Sequence, residues 1–332
     1  MRAVVVGPLA DFSVADVARG WTTGLRSIGV QTAYFDLSKQ LGWFLAAESA
    51  GDRMKKDRAR AAVTVNLLAE CYLLDPDVVI VITGNDVAPD LIAQLRCKVV
   101  LVLTEHPYEA EGQLLAAAAM HPDMILVNDP AGAEMYEQVA PTFYIPHAYD
   151  PAVHHPGNGA RKWDACFVGT GFLNRMEFFQ QVDWSGIDLA LGGWWARAKG
   201  TPLEPFLLHD DPTSGVDNAD TADIYRASRT GFNLYRSDSH GEHSTAEGWA
   251  IGPRELELAA CGVPFARDPR PESDELFPML PTFGSPEELG DALRSLLAHP
   301  DEAATAALAA RAAIEDRTFA NNATRALARL GF

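Results

Sequence analysis

Short apolar runs alternate with longer segments of helical periodicity along the first half of the chain. Apolar, mostly β-branched runs occur in RAVVVG, VQTAYFDL, DVVIVITG, KVVLVLTEHP and MILVND, and each ends in a glycine or a polar loop. After the first run, apolar residues recur three and four positions apart from Val14 to Ile28, and Gly29 follows them. Continuous β-branched runs predict strands buried on both faces, and the three-and-four spacing predicts amphipathic helices. The pattern therefore predicts a parallel sheet covered by helices.

This pattern is interrupted near residue 148 and then starts again. The interruption, from FYIPHAYD to HHPGNGARK, is rich in proline and glycine. Strand-like runs return in DACFVG, IDLALGG and TGFNLYR, with helical segments between them. We therefore predict two tandem Rossmann-like, doubly wound α/β domains that face a cleft, residues 1–148 and 149–332. Such sheets bind ligands beyond the carboxyl ends of their strands, so the expected site lies in loops that follow strands, at the cleft.

Composition and charge narrow the class of protein. The 332 residues include 27 Lys and Arg against 45 Asp and Glu, a formal net charge of −18. Such a negative field disfavours duplex DNA and anionic membranes as partners. Arg53, Lys56 and Arg60 share one face of a predicted helix, which is either a solvated face or a seat for a phosphate-bearing acceptor. No apolar run is long enough to span a membrane, and the four cysteines form no C-x-x-C pair. We expect a cytoplasmic protein with reduced thiols and no secretory leader.

A glycine-containing loop follows the first predicted strand of the second half. In CFVGTGFLNR, the residues Gly169, Thr170 and Gly171 come a few positions before Arg175. Glycines let a backbone approach a diphosphate closely, and the start of a following helix adds a positive dipole. The third glycine of the dinucleotide fingerprint G-x-G-x-x-G is missing. The segment is therefore either a diphosphate loop or a tight strand-to-helix turn. For a dinucleotide ligand, Asp188 would supply the acid that binds the ribose.

Two further loops contain polar residues suited to chemistry. Glu105 and His106 follow a predicted strand in LTEHPY, where they would serve as an acid, a base or a sugar ligand, or else would only shape the loop. His240 and His243 form an H-x-x-H pattern in a long polar loop. Because that stretch is not helical in its pattern and no third ligand is evident, we predict no metal site there. We expect instead a loop that folds over a bound substrate.

Charged residues occupy the start of the helix predicted in PRELELAACGVPFARD. With Pro253 at the first helical position, Arg254, Glu255 and Glu257 fall in the first turns. Glutamates suit the positive end of the helix dipole, whereas an arginine is unfavourable there unless an anion lies nearby. A glutamate at such a position can bind two vicinal hydroxyls of a ribose, and an arginine can neutralise a diphosphate. Together these residues predict a site for a nucleoside diphosphate.

Several segments of the chain are similar to those of a known enzyme family. The segments are R-x-x-E-x-x-A-C-G-x-P at 254–264, WDACFVGTGFLNR, DIYRASRTGFNLYR, SPEELGDALRSLLAHPDE and, before them, DMILVNDPAGAEMYEQVAPTFYIPHAYDPAVHHP. In combination they resemble the GT-B-fold glycosyltransferases, and most of all the CgeB-like, spore-maturation-type group. The similarity runs from about residue 98 to the end of the sequence and is thin before that point.

The resemblance implies a nucleotide-sugar donor, linked to UDP, GDP or TDP, in the second domain and a hydroxyl acceptor in the first. Counting back from Cys261, the ribose-binding glutamate of retaining relatives falls on Glu257. The first glutamate of their E-x7-E pattern falls on Trp249, so it is missing here. Glu247 and Glu255 have the E-x7-E spacing but are out of register.

The resemblance also implies roles for single residues. The expected donor ligands are Gly169, Thr170, Gly171, Arg175, Tyr235, Arg236, Arg254 and Glu257. The catalytic candidates are Arg254 and, from their place after a predicted strand rather than from the resemblance, Glu105 and His106. The resemblance itself assigns no catalytic base. The implied reaction is a metal-independent, hexosyltransferase-like transfer without a cofactor, with retention, to a small molecule, a protein or a modified DNA base. The alternative is a non-catalytic protein that binds a nucleotide or a dinucleotide.

Overall fold

The computed structural model divides the chain into two units. It describes residues 1–9, 14–47, 53–84, 87–104, 110–209, 211, 215–236, 238–239, 242–243 and 248–332. The first unit comprises Met1–Pro146 together with Phe319–Phe332, and the second comprises His147–Thr318. The sequence places one boundary at residue 148, close to this one, but it assigns the last helix to the second domain. No helix within the described ranges is long and apolar enough to cross a membrane.

The first unit is built on a six-stranded parallel sheet in the order β2-β1-β3-β4-β5-β6. Its strands are β1 (Arg2–Val6), β2 (Gln31–Phe35), β3 (Val78–Ile82), β4 (Lys98–Leu103), β5 (Met124–Val127) and β6 (Thr142–Tyr144). Its helices are α1 (Val14–Ser27), α2 (Leu37–Ala47), α3 (Arg53–Leu74), α4 (Pro89–Ile92), α5 (Ala110–Met120) and α6 (Glu134–Glu137), with α13 (Phe319–Leu330) at the end of the chain. The apolar runs predict the first five strands. They miss β6, which is three residues long and only half-buried.

The second unit contains a four-stranded parallel sheet in the order β12-β9-β7-β8. Its strands are β7 (Trp163–Val168), β8 (Leu189–Gly192), β9 (Ser228–Asn233) and β12 (Phe265–Arg267), and a separate antiparallel pair is formed by β10 (Asp238–Ser239) and β11 (Glu242–His243). Its helices are α7 (Leu173–Gln180), α8 (Asn218–Arg226), α9 (Pro253–Ala260), α10 (Pro271–Leu276), α11 (Pro286–Ala298) and α12 (Pro300–Ala313), with 3-10 turns at Ala196–Ala198 and Glu204–Phe206.

Alternate residues of β7 show that this sheet is covered on both faces. Cys166 and Val168 belong to one apolar cluster, with residues of α8, α9 and α12. Ala165 and Phe167 belong to another, with residues of α7 and α11. Successive side chains of a strand point to opposite faces, so each cluster fills one side of the sheet. The predicted α/β class, with two parallel doubly wound sheets, is confirmed.

The strand order creates a topological switch point in each unit. In the first unit β1 lies between β2 and β3, and in the second β7 lies between β8 and β9. The connections that leave the adjacent strands β1 and β3 run in opposite directions along the first sheet, as do those that leave β7 and β9 in the second. Within each sheet they therefore cross opposite faces. In open α/β sheets a crevice forms at the carboxyl ends of the strands where this reversal occurs, and ligands bind there. In the second unit this position lies beyond Val168 and Asn233, the last residues of β7 and β9.

Candidate functional site

The side chain of Arg254 lies at the switch point of the second unit. Its Nε donates to the carbonyl oxygen of Val168 at 2.6 Å, and its Nη1 donates to Oδ1 of Asn233. The guanidinium carbon lies 4.0 Å from the centroid of the Phe167 ring, a cation–π distance. Both hydrogen-bond acceptors are neutral oxygens, so they orient the guanidinium without neutralising it. Helix α9 starts at Pro253, as predicted, and it positions Arg254 in its first turn.

The glycine loop after β7 is tightly enclosed by protein groups. A Cβ atom on Gly169 would lie 2.2 Å from Nη2 of Arg254, and one on Gly171 would lie 2.4 Å from the Trp195 ring. Gly193 has a φ of 101°, and a Cβ there would lie 2.5 Å from the carbonyl oxygen of Gly169. Glycines are therefore needed at these positions because Arg254, Trp195 and a second backbone pack against the loop.

The amide groups of this loop are partly used inside the protein. The Gly169 N–H donates to Gly192 O at 2.9 Å, and the Gly171 N–H donates to Trp194 O at 2.8 Å. These two bonds join the loop after β7 to the loop after β8. The Thr170 N–H has no hydrogen-bond partner among the residues that the structure describes. Of the three predicted diphosphate-loop residues, Thr170 is thus the one whose amide is available to a ligand.

Arg175 holds the loops after β7 and β9 together. It is only 6% exposed. Its Nη1 donates to Thr170 O at 2.9 Å and its Nε donates to Leu234 O at 3.0 Å. Those contacts give Arg175 a structural task beside its predicted role as a donor ligand. Arg236 lies near the same loop, with its guanidinium carbon 5.8 Å from the centroid of the Phe172 ring.

The carboxylate of Glu255 is fully buried and accepts hydrogen bonds from three side chains. Its Oε1 accepts from Nδ2 of Asn233 at 2.7 Å and from the Tyr235 hydroxyl at 2.5 Å, and its Oε2 accepts from the Ser273 hydroxyl. Burial raises the pKa of Glu255, while these three hydrogen bonds oppose the rise. Asn233 therefore connects the Glu255 carboxylate to the Arg254 guanidinium.

Tyr235 and Asp268 extend this network. The Tyr235 hydroxyl, a predicted donor ligand, is engaged with Glu255, and burial together with the Glu255 charge raises its pKa well above the usual value. The Tyr235 N–H donates to Oδ2 of Asp268 at 2.8 Å. Burial is the main cause that raises the Asp268 pKa from 3.8 to about 7, and nearby Glu255 adds to it. The network supports the loops that surround Arg254.

The carboxylate of Glu257 lies one turn further along α9 and contacts α8. Its Oε2 accepts a hydrogen bond of 3.2 Å from the Tyr225 hydroxyl. Its Oε1 lies 4.0 Å from Nε2 of His154, and its side chain is 17% exposed. Positions three residues apart share a face of a helix, so Glu257 and Arg254 lie on the same side of α9.

Solved structures resemble this chain over nearly its whole length. Sucrose-phosphate synthase from Thermosynechococcus elongatus matches with a TM-score of 0.66 and 13% identity, over 99% of this chain and 98% of that one. HepE of Anabaena in complex with UDP-glucose matches with a TM-score of 0.65 and 13% identity, over 100% and 99%. A UDP-forming trehalose-phosphate synthase from Burkholderia xenovorans matches with a TM-score of 0.62 and 12% identity, over 99% and 98%. The fold is that of the GT-B glycosyltransferases.

A match to a sequence family covers part of the chain. Residues 175–328 match the model of a family described as glycosyl transferase-like. The match begins at Arg175 in α7 and extends into α13. It therefore includes α9, which contains Arg254, Glu255 and Glu257, and the neighbouring strands β9 and β12. No curated protein sequence matches the chain.

Some predicted residues fall outside the part of the GT-B fold that the structure describes. Glu105 and His106, the acid–base candidates, and His240 lie outside the described residues, as do the side chains of Arg53 and Lys56. Among the residues that are described, no group of three His, Cys, Asp or Glu side chains could hold a metal ion.

Asp188 does not occupy the place that the dinucleotide alternative requires. Its N–H donates to Oδ2 of Asp164 at 3.1 Å, and it precedes β8. It therefore lies at the amino end of the sheet, opposite to the loop at 169–171. A dinucleotide ribose on that loop would need an acid at the carboxyl end. The prediction of Asp188 as a ribose ligand is wrong.

Several residues that shape the site are not recognised from the sequence. Asn233 and Phe167 hold Arg254, and Tyr225 and His154 lie beside Glu257. The sequence does contain an indication for Asn233. An amide side chain at the carboxyl end of an apolar strand is a candidate to bind a ligand or to support a residue that does. The other three are ordinary core or linker residues in sequence, and only the contact between elements reveals their place.

Proposed function

We propose that this protein is a glycosyltransferase that moves a sugar from a nucleotide-diphosphate sugar to a hydroxyl acceptor. One observation carries the proposal: the Arg254 guanidinium is fixed between the carboxyl ends of β7 and β9 by Val168 and Asn233. Doubly wound sheets bind ligands at that position, and an oriented guanidinium suits a diphosphate. The Thr170 N–H, which has no partner in the described part of the chain, lies in the same loop as Gly169, which contacts Arg254.

UDP is the donor nucleotide that the comparisons support best. HepE was solved in complex with UDP-glucose, and the trehalose-phosphate synthase is described as UDP-forming. Both share the fold with this chain. GDP- and TDP-linked donors are the alternatives from the sequence, and the binding experiment below separates the three.

The proposed reaction transfers the sugar at its C1 atom. The bond from C1 to the diphosphate oxygen breaks and its electron pair leaves with the diphosphate. A bond from C1 to the acceptor oxygen forms, and the acceptor hydroxyl passes its proton to the departing diphosphate or to water. The diphosphate gains negative charge as it leaves, and Arg254 together with the amino end of α9 would stabilise that charge. A side-chain cation and backbone amides can do this work, so we propose a metal-independent, hexosyltransferase-like reaction.

The finer features of the reaction follow from the sequence resemblance. Retention at C1 is proposed because Glu257 has the register of the ribose-binding glutamate of retaining enzymes, and membership in the CgeB-like group is proposed from the segments at 163–175 and 254–264. The acceptor, a small molecule, a protein or a modified DNA base, is proposed to bind the first unit, where Glu105 and His106 follow β4.

A ligand panel with two matched variants tests the proposal. We would measure the melting temperature with UDP, GDP, TDP, ADP and NAD for the wild type, Arg254→Lys and Arg229→Lys. Arg229 lies at the opposite, amino end of β9, where it pairs with Asp164 at 3.0 Å. We expect UDP to raise the melting temperature of the wild type and of Arg229→Lys. Arg254→Lys should weaken UDP binding by about 10- to 100-fold, because one ammonium cannot reproduce an oriented guanidinium.

Release of UDP from UDP-glucose and other UDP-sugars distinguishes catalysis from binding alone. The wild type should release UDP slowly by transfer to water, and faster with an acceptor, while Arg254→Lys should be at least about 10-fold slower. Binding of UDP without any release would favour the non-catalytic alternative. An absence of binding to all five nucleotides, or NAD binding alone, would contradict the proposed function.

A further inference from the structure

Helix α3 of the first unit has apolar side chains on two opposite sides. Its inner side packs into the core of the unit through residues that recur every four positions, namely Ala59, Val63, Leu67 and Cys71. Because a helix has 3.6 residues per turn, another set of residues points the opposite way. This outer side is formed by Ala61, Ala62, Val65, Leu68, Ala69, Tyr72 and Leu73.

The outer side of α3 is open to solvent although its side chains are apolar. Tyr72 is 86% exposed, Leu73 is 80% exposed and Val65 is 53% exposed. The whole outer side presents roughly 500 Å² of mostly apolar surface, the size of the largest patch on a typical monomer, which is often functional. A helix that is apolar all round is normally buried all round. The outer side of α3 therefore has the composition of a surface that a partner covers.

Neighbouring helices flank α3 without reaching its outer side. On one flank, Nδ2 of Asn66 donates to Oε1 of Gln40 in α2 at 3.5 Å. On the other flank, the Ala88 N–H, just before α4, donates to the Thr64 hydroxyl oxygen at 2.9 Å. These contacts fix α3 between α2 and α4. The outer side is thus a rigid, preformed surface of the first unit.

The charge along α3 changes sign from its start to its end. The basic residues at the start are Arg53, Lys55, Lys56, Arg58 and Arg60, with Asp57 among them. The acidic residues at the end and just after it are Glu70, Asp75 and Asp77. A second copy of α3 that runs antiparallel would bring the basic start of each helix to the acidic end of the other, whereas a parallel copy would bring like charges together. The helix is therefore complementary to itself in the antiparallel direction.

We propose that the outer side of α3 is the interface of a homodimer, in which the α3 helices of two copies pack antiparallel about a twofold axis. A twofold interface uses the same surface on both copies, so that surface must be complementary to itself. The alanines of the outer side let the two helices approach closely, and Tyr72 is the type of residue that dominates binding energy at interfaces.

The proposed axis also pairs two charged residues. The middle of the outer side lies between Val65 and Ala69, and a twofold axis there places Arg58 of each copy opposite Asp75 of the other. Among the described residues Arg58 has no hydrogen-bond or ion-pair partner. The Asp75 side chain is 85% exposed and contacts only the exposed Arg2 guanidinium, at 2.8 Å. Both residues are thus accessible to a second copy.

The size of this surface predicts a weak dimer. Two copies of the outer side would together bury roughly 1,000 Å², at the lower limit for a specific interface. We therefore expect a monomer–dimer equilibrium with a dissociation constant between about 1 and 100 μM. The inference does not depend on the proposed function, because it concerns a surface of the first unit and not the donor site.

Sedimentation velocity across a concentration series tests the inference. The wild type, Tyr72→Glu and Leu308→Glu would be compared from about 1 to about 300 μM, a range that brackets the expected dissociation constant. Leu308 is the matched control, because it is a 67% exposed apolar residue of α12 in the second unit. The wild type and Leu308→Glu should dimerise, whereas association of Tyr72→Glu should be at least about 10-fold weaker. Because both substituted residues are exposed, both variants should keep the melting temperature of the monomeric wild type.

An exchange of charges tests the antiparallel arrangement. Arg58→Glu and Asp75→Arg should each weaken self-association at least about fivefold, because each places like charges opposite one another at two symmetric positions. An equimolar mixture of the two variants should associate to within about twofold of the wild type, because a mixed dimer has opposite charges at both positions. The ion pair with Arg2 that Asp75→Arg removes is exposed, so its loss should hardly affect stability.

Three results would contradict the proposal. A wild type that stays monomeric throughout the series would overturn it. A dimer that Tyr72→Glu does not weaken would use another surface, which also overturns it. If Tyr72→Glu weakens the dimer but the mixture of charge variants does not associate better than either variant alone, the antiparallel arrangement is overturned.

Discussion

Three charged residues in two turns of α9 have three different environments. Arg254 reaches the ends of β7 and β9, Glu255 turns inward to Asn233, Tyr235 and Ser273, and Glu257 faces α8. The helix dipole explains why carboxylates are tolerated near this helix start, but it does not distinguish a support from a ligand. Burial makes that distinction: Glu255 is completely buried, whereas Glu257 is partly exposed, and its Oε1 has no hydrogen-bond donor among the described residues.

The titration of Asp268 should be visible in the stability of the protein. Its pKa is raised from 3.8 to about 7, so the folded state keeps a proton that the unfolded chain has already released. The folded state therefore binds more protons between about pH 4 and pH 7, and the free energy of unfolding should fall as the pH rises through that window. In Asp268→Asn an amide oxygen can still accept from the Tyr235 N–H, but the side chain no longer titrates. The variant should therefore not show this decrease in the free energy of unfolding.

Urea unfolding at about pH 5 and about pH 8 measures the effect. The free energy of unfolding of Asp268→Asn, relative to that of the wild type, should increase by at least about 1 kcal/mol from about pH 5 to about pH 8. This increase corresponds to a shift of less than one pKa unit. Identical pH dependence of the two proteins would contradict the raised pKa.

At the scale of elements, the site depends on how closely neighbouring loops approach each other. Gly169 and Gly193 bring the loops after β7 and β8 into backbone contact, and Arg175 joins the loop after β7 to that after β9. Local signals predicted the elements themselves. Ser285 caps α11 by accepting a hydrogen bond of 3.2 Å from the Glu288 N–H, and Oε2 of Glu288 accepts from the Gly284 N–H.

Two glycine substitutions distinguish the destabilisation caused by this close approach of the loops from the destabilisation caused by backbone strain alone. Gly193→Ala should destabilise the protein by at least about 3 kcal/mol, because its Cβ would lie 2.5 Å from Gly169 O in addition to the strain of its positive φ. Gly29 also has a positive φ, of 86°, but no atom lies within 4 Å of its Cβ position. Gly29→Ala should therefore cost only about 1 kcal/mol. Urea unfolding would measure both, and equal losses would show that the loop contact can relax.

At the scale of the whole molecule, the chain leaves the first unit and returns to it. Helix α13 packs on α1, where two glycines make room for Phe319. The three atoms nearest to a Cβ on Gly20 belong to the ring of Phe319, whereas a Cβ on Gly24 would lie 2.5 Å from the backbone carbonyl carbon of Phe319. The first unit is thus completed by residues that follow the second unit in sequence.

The two glycines of α1 give different expectations for this packing. A ring can turn away from an added methyl group but a backbone cannot. Gly24→Ala should therefore displace α13 and lower the free energy of unfolding by about 2 kcal/mol, and Gly20→Ala should lower it by clearly less. Hydrogen exchange should accelerate in α1 and α13 of Gly24→Ala and remain unchanged in the second unit. Faster exchange throughout the second unit would show that α13 is not part of the first unit alone.

The sequence by itself determined the α/β class, most strands, the start of α9 and the presence of charged residues there. These features follow from local causes, namely apolar periodicity, proline and glycine signals and helix capping, which act over a few neighbouring residues. Only the tertiary structure decided that Asn233 and Phe167 hold Arg254, that Asp188 lies at the wrong end of the sheet, and that Tyr225 and His154 meet at Glu257. Such contacts join residues far apart in the chain, and they depend on strand order and on which helix covers which face, which no local pattern encodes.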